Sequence, residues 1–255
     1  MDSPTEIAPQ VIAVASAPGR QGPRALAPNL AVRAGMRGRQ ADRRVCFLDA
    51  TASQIEEQAG MEVPDLAELP PGALQPDDLD ALLVQHAAWN LHLVKGRPSD
   101  ERFRELVVEL RKRFDVIVVA TSILDLYAPE SAGLLAEADQ LCLEVPDNMA
   151  TVLNVAMWVR SWRSNRMPEG PHPRVGFVFT PRGDGHLTVT GARAELSGVR
   201  EMGQLPVPNQ SRSVDPTLLP AATPDPVMGT ALDAALYEIT RDVAFKPRRN
   251  EWWRY

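Results

Sequence analysis

The chain has 255 residues and a net charge of −6, with 44% hydrophobic and 24% charged residues. This size allows one large α/β domain or two small ones, and the acidic balance argues against a generally basic surface, so we expect no specific nucleic-acid partner. No apolar run approaches the ~20 residues of a transmembrane helix, and the first residues lack the pattern of a signal peptide, so we expect a cytoplasmic protein.

The first elements along the chain form a strand, a turn and a helix. The apolar run 11–17 predicts a buried strand, 18–24 is a glycine-rich turn, and 25–32 predicts the following helix. A second strand is predicted at 45–50, and it carries Asp49 near its end. A strand, a glycine-rich loop and a helix in this order are typical of P-loop NTPases.

The middle of the chain continues the alternation of strand and helix. The segment 51–76 predicts a loop with a short helix, and 77–86 predicts a helix capped by Asp77 or Asp78. A short strand is predicted at 91–95. The helix predicted at 99–113 has apolar residues on one face and Ser99 available as its cap.

The second half begins with the β-branched run 115–120, which is typical of a central parallel strand buried on both faces. Further strands are predicted at 141–145, 174–180 and 203–207, and further helices at 148–163, 189–196 and 229–243. Because strands alternate with helices, we predict an α/β fold with three layers and a mostly parallel sheet of seven or eight strands.

The order of motifs resembles the MinD/ParA superfamily of deviant P-loop ATPases. Residues 18–24 lie in register with that family's phosphate-binding loop, and 29–31 match the helix after it. The stretches 47–50, 114–122 and 137–145 resemble the next three strand motifs. Within the superfamily, 77–95 and 201–209 resemble the CpaE/TadZ branch of pilus-assembly localisation proteins.

The sequence differs from the family at the positions that bind phosphate and Mg²⁺. Pro18 and Pro23 stand at the two lysine positions, Arg24 at the Mg²⁺-binding hydroxyl, and Ala120 at an acidic position near the metal. Of the usual acidic residues, Asp49 remains. The resemblance therefore implies a degenerate site with no catalytic residue and no metal ligand, because losing one such group typically costs several kcal/mol of transition-state stabilisation.

Nucleotide binding is left open by these residues. Gly19 and Gly22 bring backbone amides to the helix N-terminus, and Arg20 and Arg24 could supply the missing charge. Together with Asp49 they form the candidate nucleotide site. The alternatives are a turn that binds no cofactor, weak binding of ATP and Mg²⁺, and an active ATPase in which Arg20 or Arg24 replaces lysine.

Two segments rich in basic and aromatic residues are candidate contact surfaces. The helix end 157–166 carries arginines and tryptophans, which predict either a cationic helix end with inward tryptophans or a partner surface. For the C-terminal tail, docking on a partner or neighbouring subunit is favoured, and packing on its own body or peripheral membrane contact are the alternatives. The tail residues expected to contact the partner are Arg248, Arg249, Trp252, Trp253 and Tyr255.

No other constellation predicts chemistry. Cys46 and Cys142 lie in predicted strands and have no spacing that suits zinc, so we expect buried, reduced thiols. We divide the chain into an N-terminal tail (1–10), a degenerate MinD/ParA-like domain (11–243) and the C-terminal tail (244–255).

The predicted function is a non-catalytic localisation or scaffold protein that acts by protein binding. The resemblance implies pilus, secretion or cell-pole machinery as its partner, a place at the cell pole or membrane periphery, and a homodimer. The alternatives are an active or weakly active ATP-dependent switch, and a regulatory subunit that completes the site of an active ParA-like paralogue.

Overall fold

The computed structural model describes residues 8–16, 25–51, 55–68, 74, 76–97, 99–164, 173–183, 185–207, 219–222 and 225–247. Its strands are β1 Gln10–Ser16, β2 Val45–Asp49, β3 Val84–His86, β4 Leu91–Lys95, β5 Val116–Ser122, β6 Gln140–Val145, β7 Arg174–Phe179 and β8 Arg200–Gln204. Its α-helices are α1 Leu26–Gly38, α2 Ile55–Ala59, α3 Pro76–Leu82, α4 Asp100–Arg111, α5 Ala132–Glu137, α6 Met149–Ser164, α7 Val189–Glu195 and α8 Pro226–Thr240.

All eight strands join one sheet in the order β3-β4-β2-β5-β1-β6-β7-β8. Every pairing is parallel except that of β3 with β4 at the edge of the sheet. Parallel strands need crossover connections, and the helices between them supply these connections. The predicted α/β class, the mostly parallel sheet and the number of strands are confirmed.

Helices cover both faces of the sheet. The apolar side chains of α4, α5, α6 and α7 pack against one face, and those of α1 and α8 pack against the other. The central strands β1 and β5 are buried almost end to end, because each contributes side chains to both apolar clusters. Three layers result, and the carboxyl ends of the parallel strands meet at one edge of the sheet.

An ion-pair group fixes α1 against α8 on the second face. The Asp233 carboxylate is buried, and it accepts hydrogen bonds from Nε and Nη2 of Arg33, each at 2.7 Å. The Nε of Arg37 lies 3.6 Å from Oδ2 of the same carboxylate, the oxygen that also accepts from Nη2 of Arg33. Because a buried carboxylate must be paired, this group ties the position of α1 to that of α8.

The helix predicted at 77–86 is wrong in its second half. The α-helix α3 ends at Leu82, and Val84–His86 forms the antiparallel edge strand β3 instead. The turn from β3 to β4 includes Asn90 at a φ of 52°, a left-handed conformation that asparagine tolerates. Pairing with β4 therefore outweighs a weak local preference for helix. Asp77 and Asp78 lie inside the first turn of α3 and not before it.

Smaller differences concern element ends. The short helix α5, between β5 and β6, was not predicted, and β8 begins before the predicted strand 203–207. Ser99 occupies the N-cap position of α4 as predicted, but its side chain makes no capping hydrogen bond. Most other predicted strands and helices lie within a few residues of the observed ones, although α1 runs on to Gly38.

Both thiols are buried and unbonded, as predicted. Cys46 and Cys142 lie in β2 and β6 with no exposed surface. Burial raises the pKa of each thiol far above its ordinary range, since a thiolate would lose its hydration there. Among the residues that the structure describes, no helix is both long enough and apolar enough to cross a membrane.

The apolar cluster on the second face of the sheet includes part of the segment 244–255, which the sequence analysis assigned to the C-terminal tail. A 3₁₀ turn, Val243–Phe245, follows α8, and the Phe245 side chain is fully buried among α1 and α8 residues. The Asp242 carboxylate holds this turn by accepting from the Ala244 amide at 2.9 Å and from Arg43 at 3.0 Å. Phe245 is thus a core residue.

We predict that Phe245→Ala lowers the free energy of unfolding by about 3–5 kcal/mol, because it leaves a cavity in a packed core. Urea denaturation followed by circular dichroism measures this loss. The control is Val243→Ala two residues earlier, where the side chain is largely exposed and we expect a change of about 0.5 kcal/mol or less. Equal effects of the two changes would contradict the packing described here.

Candidate functional site

The candidate site lies where the carboxyl ends of β1, β2, β5 and β6 meet at one edge of the sheet. In doubly wound α/β folds, ligands bind at this edge. The strand register aligns Ser16 at the end of β1 with Ser122 of β5, and Asp49 of β2 with Ala120 of β5. The helix α1 begins nearby and starts with Leu26.

Most of the predicted site residues lie outside the described residues. Gly19, Arg20, Gly22 and Arg24 belong to the segment 17–24, and the structure describes none of them. The same holds for the tail residues predicted to contact a partner, namely Arg248, Arg249, Trp252, Trp253 and Tyr255. These assignments stay predictions.

Asp49 is the one predicted site residue that the structure describes, and its carboxylate holds the turn after β2. One oxygen, Oδ1, accepts hydrogen bonds from the Thr51 amide at 3.0 Å and from the Thr51 hydroxyl at 3.2 Å. The side chain is buried. A turn-capping role, which the sequence left open, therefore accounts for this oxygen. The aligned Ala120 brings no second carboxylate.

The sequence analysis missed the most unusual group at this edge, the carboxylate of Glu144 near the end of β6. The residue has no exposed surface. Its Oε2 accepts a hydrogen bond from the Ser16 hydroxyl at 2.6 Å, and its Oε1 accepts one from the Thr180 hydroxyl at 3.4 Å. A charged residue inside a fully buried central strand was the available signal, because glutamate is almost never fully buried unless it is paired.

Glu144 also contacts the start of α1. The Leu26 amide donates to Oε2 at 3.3 Å. The N-cap residue of this helix is Ala25, whose methyl group cannot accept a hydrogen bond. The N-cap side chain makes no capping bond, and the first amide of the helix is instead bound by a carboxylate that is 118 residues away in the sequence. The positive end of the helix dipole favours a negative charge at this place.

The first turn of α1 is fixed further by Asn29. Its amide nitrogen donates to the Ala25 carbonyl at 2.8 Å, and its carbonyl oxygen accepts from the Ala221 amide at 2.8 Å. These two bonds join the helix start to the 3₁₀ turn Pro220–Ala222. The first turn also contains Pro28, which has no amide proton to offer to a ligand.

All three lysines of the chain lie in the described residues, and none lies at the start of α1. Lys95 ends β4, three strands from β1 in the sheet, and its amine contacts the Glu56 carboxylate at 2.8 Å. This contact raises the pKa of Lys95. Lys112 follows α4, and Lys246 lies beside the C-terminal end of α1, where its carbonyl accepts from Arg37.

Comparison with known proteins supports the predicted fold. No protein-family model and no curated protein sequence matches the chain. A ParA family ATPase from Chlorobium tepidum TLS superposes with a TM-score of 0.70 at 15% identity, over 90% of this chain and 98% of that one. The chain therefore has the three-layer fold of the MinD/ParA superfamily of P-loop ATPases, as the order of its motifs predicted.

Two further structures show what this fold holds elsewhere. The septum site-determining protein MinD from Pyrococcus horikoshii OT3, complexed with Mg-ADP, matches with a TM-score of 0.57 at 14% identity, over 94% of this chain and 89% of that one. The MinC:MinD cell division protein complex of Aquifex aeolicus matches with a TM-score of 0.59 at 16% identity, over 78% and 82%.

A nucleotide with Mg²⁺ is the group that this fold implies, and the described residues do not fit its phosphates at the start of α1. One first-turn amide, that of Leu26, already donates to Glu144, and Pro28 has none to donate. A phosphate placed there would meet a buried carboxylate of the same charge sign. None of the three lysines lies at the start of α1.

A second buried carboxylate, Asp147, organises the loop after β7. It accepts hydrogen bonds from the amides of Arg182 at 3.0 Å, Gly183 at 2.9 Å and Gly185 at 3.3 Å. Burial alone would raise the pKa of Asp147, but the backbone hydrogen bonds to its charged form outweigh burial and lower it. The Asp147 backbone also packs so closely on Gly185 that a Cβ there would lie 1.9 Å from the Asp147 carbonyl oxygen.

We predict that Asp147→Asn lowers the free energy of unfolding at pH 7 by about 1–3 kcal/mol, because an amide cannot accept from all three donors. The folded-state pKa of Asp147 lies below the unfolded value of about 3.9, so its contribution is present above that pH and is lost as the pH falls through the folded-state pKa. The difference between variant and wild type should therefore shrink in acid.

Urea denaturation at several pH values between neutral and about 3 measures this dependence. Asp77→Asn is the control, since Asp77 is exposed in the first turn of α3. A difference between Asp147→Asn and wild type that stays constant across the pH range would contradict the assignment.

Proposed function

We propose that this chain is a non-catalytic, ParA/MinD-like localisation or scaffold protein that acts by binding other proteins. One observation supports the non-catalytic part above all. The segment 17–24, which connects β1 to α1, contains no lysine, serine or threonine. A P-loop needs a lysine on the β- and γ-phosphates and a hydroxyl on Mg²⁺. The contact between Glu144 and the start of α1 points in the same direction.

The finer assignment comes from the order of motifs. The acidic helix α3 followed by β4, and the stretch 201–209, resemble the CpaE/TadZ branch of pilus-assembly localisation proteins. We therefore propose pilus, secretion or cell-pole machinery as the setting, with the protein at the pole or the membrane periphery. A solved relative in fold, MinD of Aquifex aeolicus, forms a complex with the protein MinC.

An exposed apolar surface supports binding as the mode of action. We call it the α6 patch: its members are Leu124, Tyr127, Met149, Leu153 and Met157, which are 43–61% exposed. The last three recur every four residues and so line one side of α6. The 3₁₀ turn that carries Tyr127 lies against this helix, because the Leu126 carbonyl accepts from the Trp158 indole at 3.4 Å.

The tryptophans of this helix do not belong to the patch. Trp158 is buried, and Trp162 stacks on it with ring centroids 5.8 Å apart. The helix end therefore follows the prediction of inward tryptophans. Methionine and leucine are left to face solvent, and clusters of exposed apolar residues of this kind mark interaction sites.

The charge of α6 favours an acidic partner, and the Asp125 carboxylate, between Leu124 and Tyr127 in the sequence, is paired with Arg97 at 3.0 Å. The helix has no aspartate or glutamate, and Arg160 and Arg163 are exposed near its end. A protein segment with apolar and acidic side chains would match both properties, because charge complementarity sets specificity at interfaces. We propose such a segment of a partner protein as the occupant of the patch.

We predict that the purified protein releases phosphate from ATP with Mg²⁺ no faster than buffer does. A coupled phosphate assay at high protein concentration measures the rate. Steady hydrolysis that Arg24→Ala abolishes would contradict the proposal and establish the alternative, in which an arginine replaces the lysine. Hydrolysis that Arg24→Ala leaves unchanged would point to a contaminating ATPase, and repurification would decide.

We predict that Leu153→Glu disperses a fluorescent fusion of the protein that wild type concentrates at a pole or at a membrane-bound assembly. Leu153→Lys should disperse it less, because both changes remove the apolar contact but only the glutamate repels an acidic partner. Fluorescence microscopy in the native cell gives the distribution. Val227→Glu, an exposed apolar position on α8, is the control and should leave it unchanged.

Other occupants of the α6 patch give different results. A second copy of the chain would appear in sedimentation as a dimer that both Leu153 variants dissociate. An anionic membrane would bind the lysine variant more tightly than wild type. A wild-type distribution for Leu153→Glu would exclude the patch as the docking surface.

A further inference from the structure

We infer that Glu144 has taken the place of a ligand phosphate at the start of α1, so that the anion site of the fold is permanently occupied by the chain itself. This inference deepens the proposed non-catalytic function and rests on it. It concerns how the site is closed, whereas the proposed function concerns what the protein does once it is closed.

The backbone N–H groups in the first turn of α1 are the first support for this inference. An α-helix leaves its first N–H groups without partners inside the helix, and these groups make helix N-termini into anion sites. In α1 the Leu26 amide donates to Glu144, and Pro28 has no N–H. Only the amides of Ala25 and Ala27 remain in this turn for an external anion.

The burial of the Glu144 carboxylate is the second support. Glu144 has no exposed surface, and three of its donors are uncharged groups: the Ser16 hydroxyl, the Thr180 hydroxyl and the Leu26 amide. A buried carboxylate at a helix start gains from the positive end of the helix dipole. The same gain is what a phosphate obtains in a nucleotide-binding relative, and one helix start cannot serve two such anions at full strength.

The place of Glu144 in the sheet is the third support. It reaches the helix start from β6, next to β1 in the sheet, while Ser16 is the last residue of β1 and Thr180 directly follows β7. The carboxylate therefore links the ends of three neighbouring strands to α1. An external ligand that bound this amide would have to displace a group held by the core of the protein.

The test compares Glu144→Gln with wild type. The glutamine keeps the size of the side chain and one acceptor oxygen but removes the charge. Inorganic pyrophosphate is the probe, and thermal unfolding is the readout. We expect no shift of the wild-type midpoint, and a rise of roughly 3 °C or more for Glu144→Gln at pyrophosphate concentrations ten times its Kd.

Asp225→Asn is the matched control. Asp225 is the N-cap of α8, and it accepts from the amides of Val227 at 2.9 Å and Met228 at 3.2 Å. The change again converts a carboxylate at a helix N-terminus into an amide, so it tests whether any such change creates anion binding. We expect no pyrophosphate-dependent shift. A shift equal to that of Glu144→Gln would overturn the inference.

A second arm restores the loop. Pro23→Lys/Arg24→Thr brings back the lysine and the hydroxyl, and calorimetry with Mg-ATP measures binding. We expect the double variant to bind Mg-ATP at least tenfold more weakly than the same variant with Glu144→Gln added. Equal affinity of the two would overturn the inference, because the loop alone would then account for the loss of the site.

The native chain provides a measurement that does not depend on a variant folding. Hydrogen exchange followed by NMR should find the Leu26 amide protected in ligand-free protein, since it donates to a buried carboxylate. Exchange at the rate of an exposed amide would overturn the inference. Absence of ATP hydrolysis together with an exposed Leu26 amide would leave the proposed function standing without it, whereas ATP hydrolysis by wild type would remove the proposed function itself.

Discussion

The arrangement at the functional edge of this protein depends on one buried charge. A carboxylate without exposed surface must have donors around it, because an unpaired buried charge costs several kcal/mol. Glu144 finds donors on β1, on the residue after β7 and on α1. These three elements are distant in the sequence, and the need to satisfy one carboxylate brings their ends together at a single point.

The fold shared with Mg-ADP-bound MinD does not by itself decide what binds at the start of α1. That protein matches over most of both chains, so the sheet and the helix after β1 have the same layout. A fold supplies the place for a ligand, but the side chains at that place decide what binds. In this chain the Glu144 carboxylate, which comes from the protein's own sheet, accepts from the first amide of α1, and the three lysines lie elsewhere.

The sequence predicted the parts of the fold whose local pattern agrees with the tertiary structure. The first four residues of β5 are all β-branched, which predicts a buried strand, and the amphipathic pattern of α4 predicts a helix that lies on one face of the sheet. The pattern was misleading at β3, where the conformation of each residue depends on an antiparallel partner five to nine residues further along the chain.

The candidate site was less predictable, for a related reason. Asp49 was found because it ends a strand that resembles a known motif. Glu144 was missed because its hydrogen-bond partners are 36 to 128 residues away in the sequence. The residues next to Glu144 do not predict contacts at that separation. A glutamate among apolar strand residues was the only sign, and interpreting it required knowing which strand and which helix end lie beside it.

The proposed closure of this site by Glu144 would change how the protein can be regulated. A ligand shifts a conformational equilibrium only by as much as its affinities for the two states differ. If the anion at the start of α1 is part of the chain, its occupancy of that place does not depend on the concentration of a nucleotide. The helix start then has one arrangement. Any change of state must then come from another surface. The α6 patch lies on the opposite face of the sheet from α1, and α6 follows directly after β6, the strand that carries Glu144. A partner bound there would contact the element next in the chain to this carboxylate, and this is the route by which the proposed partner, in place of a nucleotide, would control the protein.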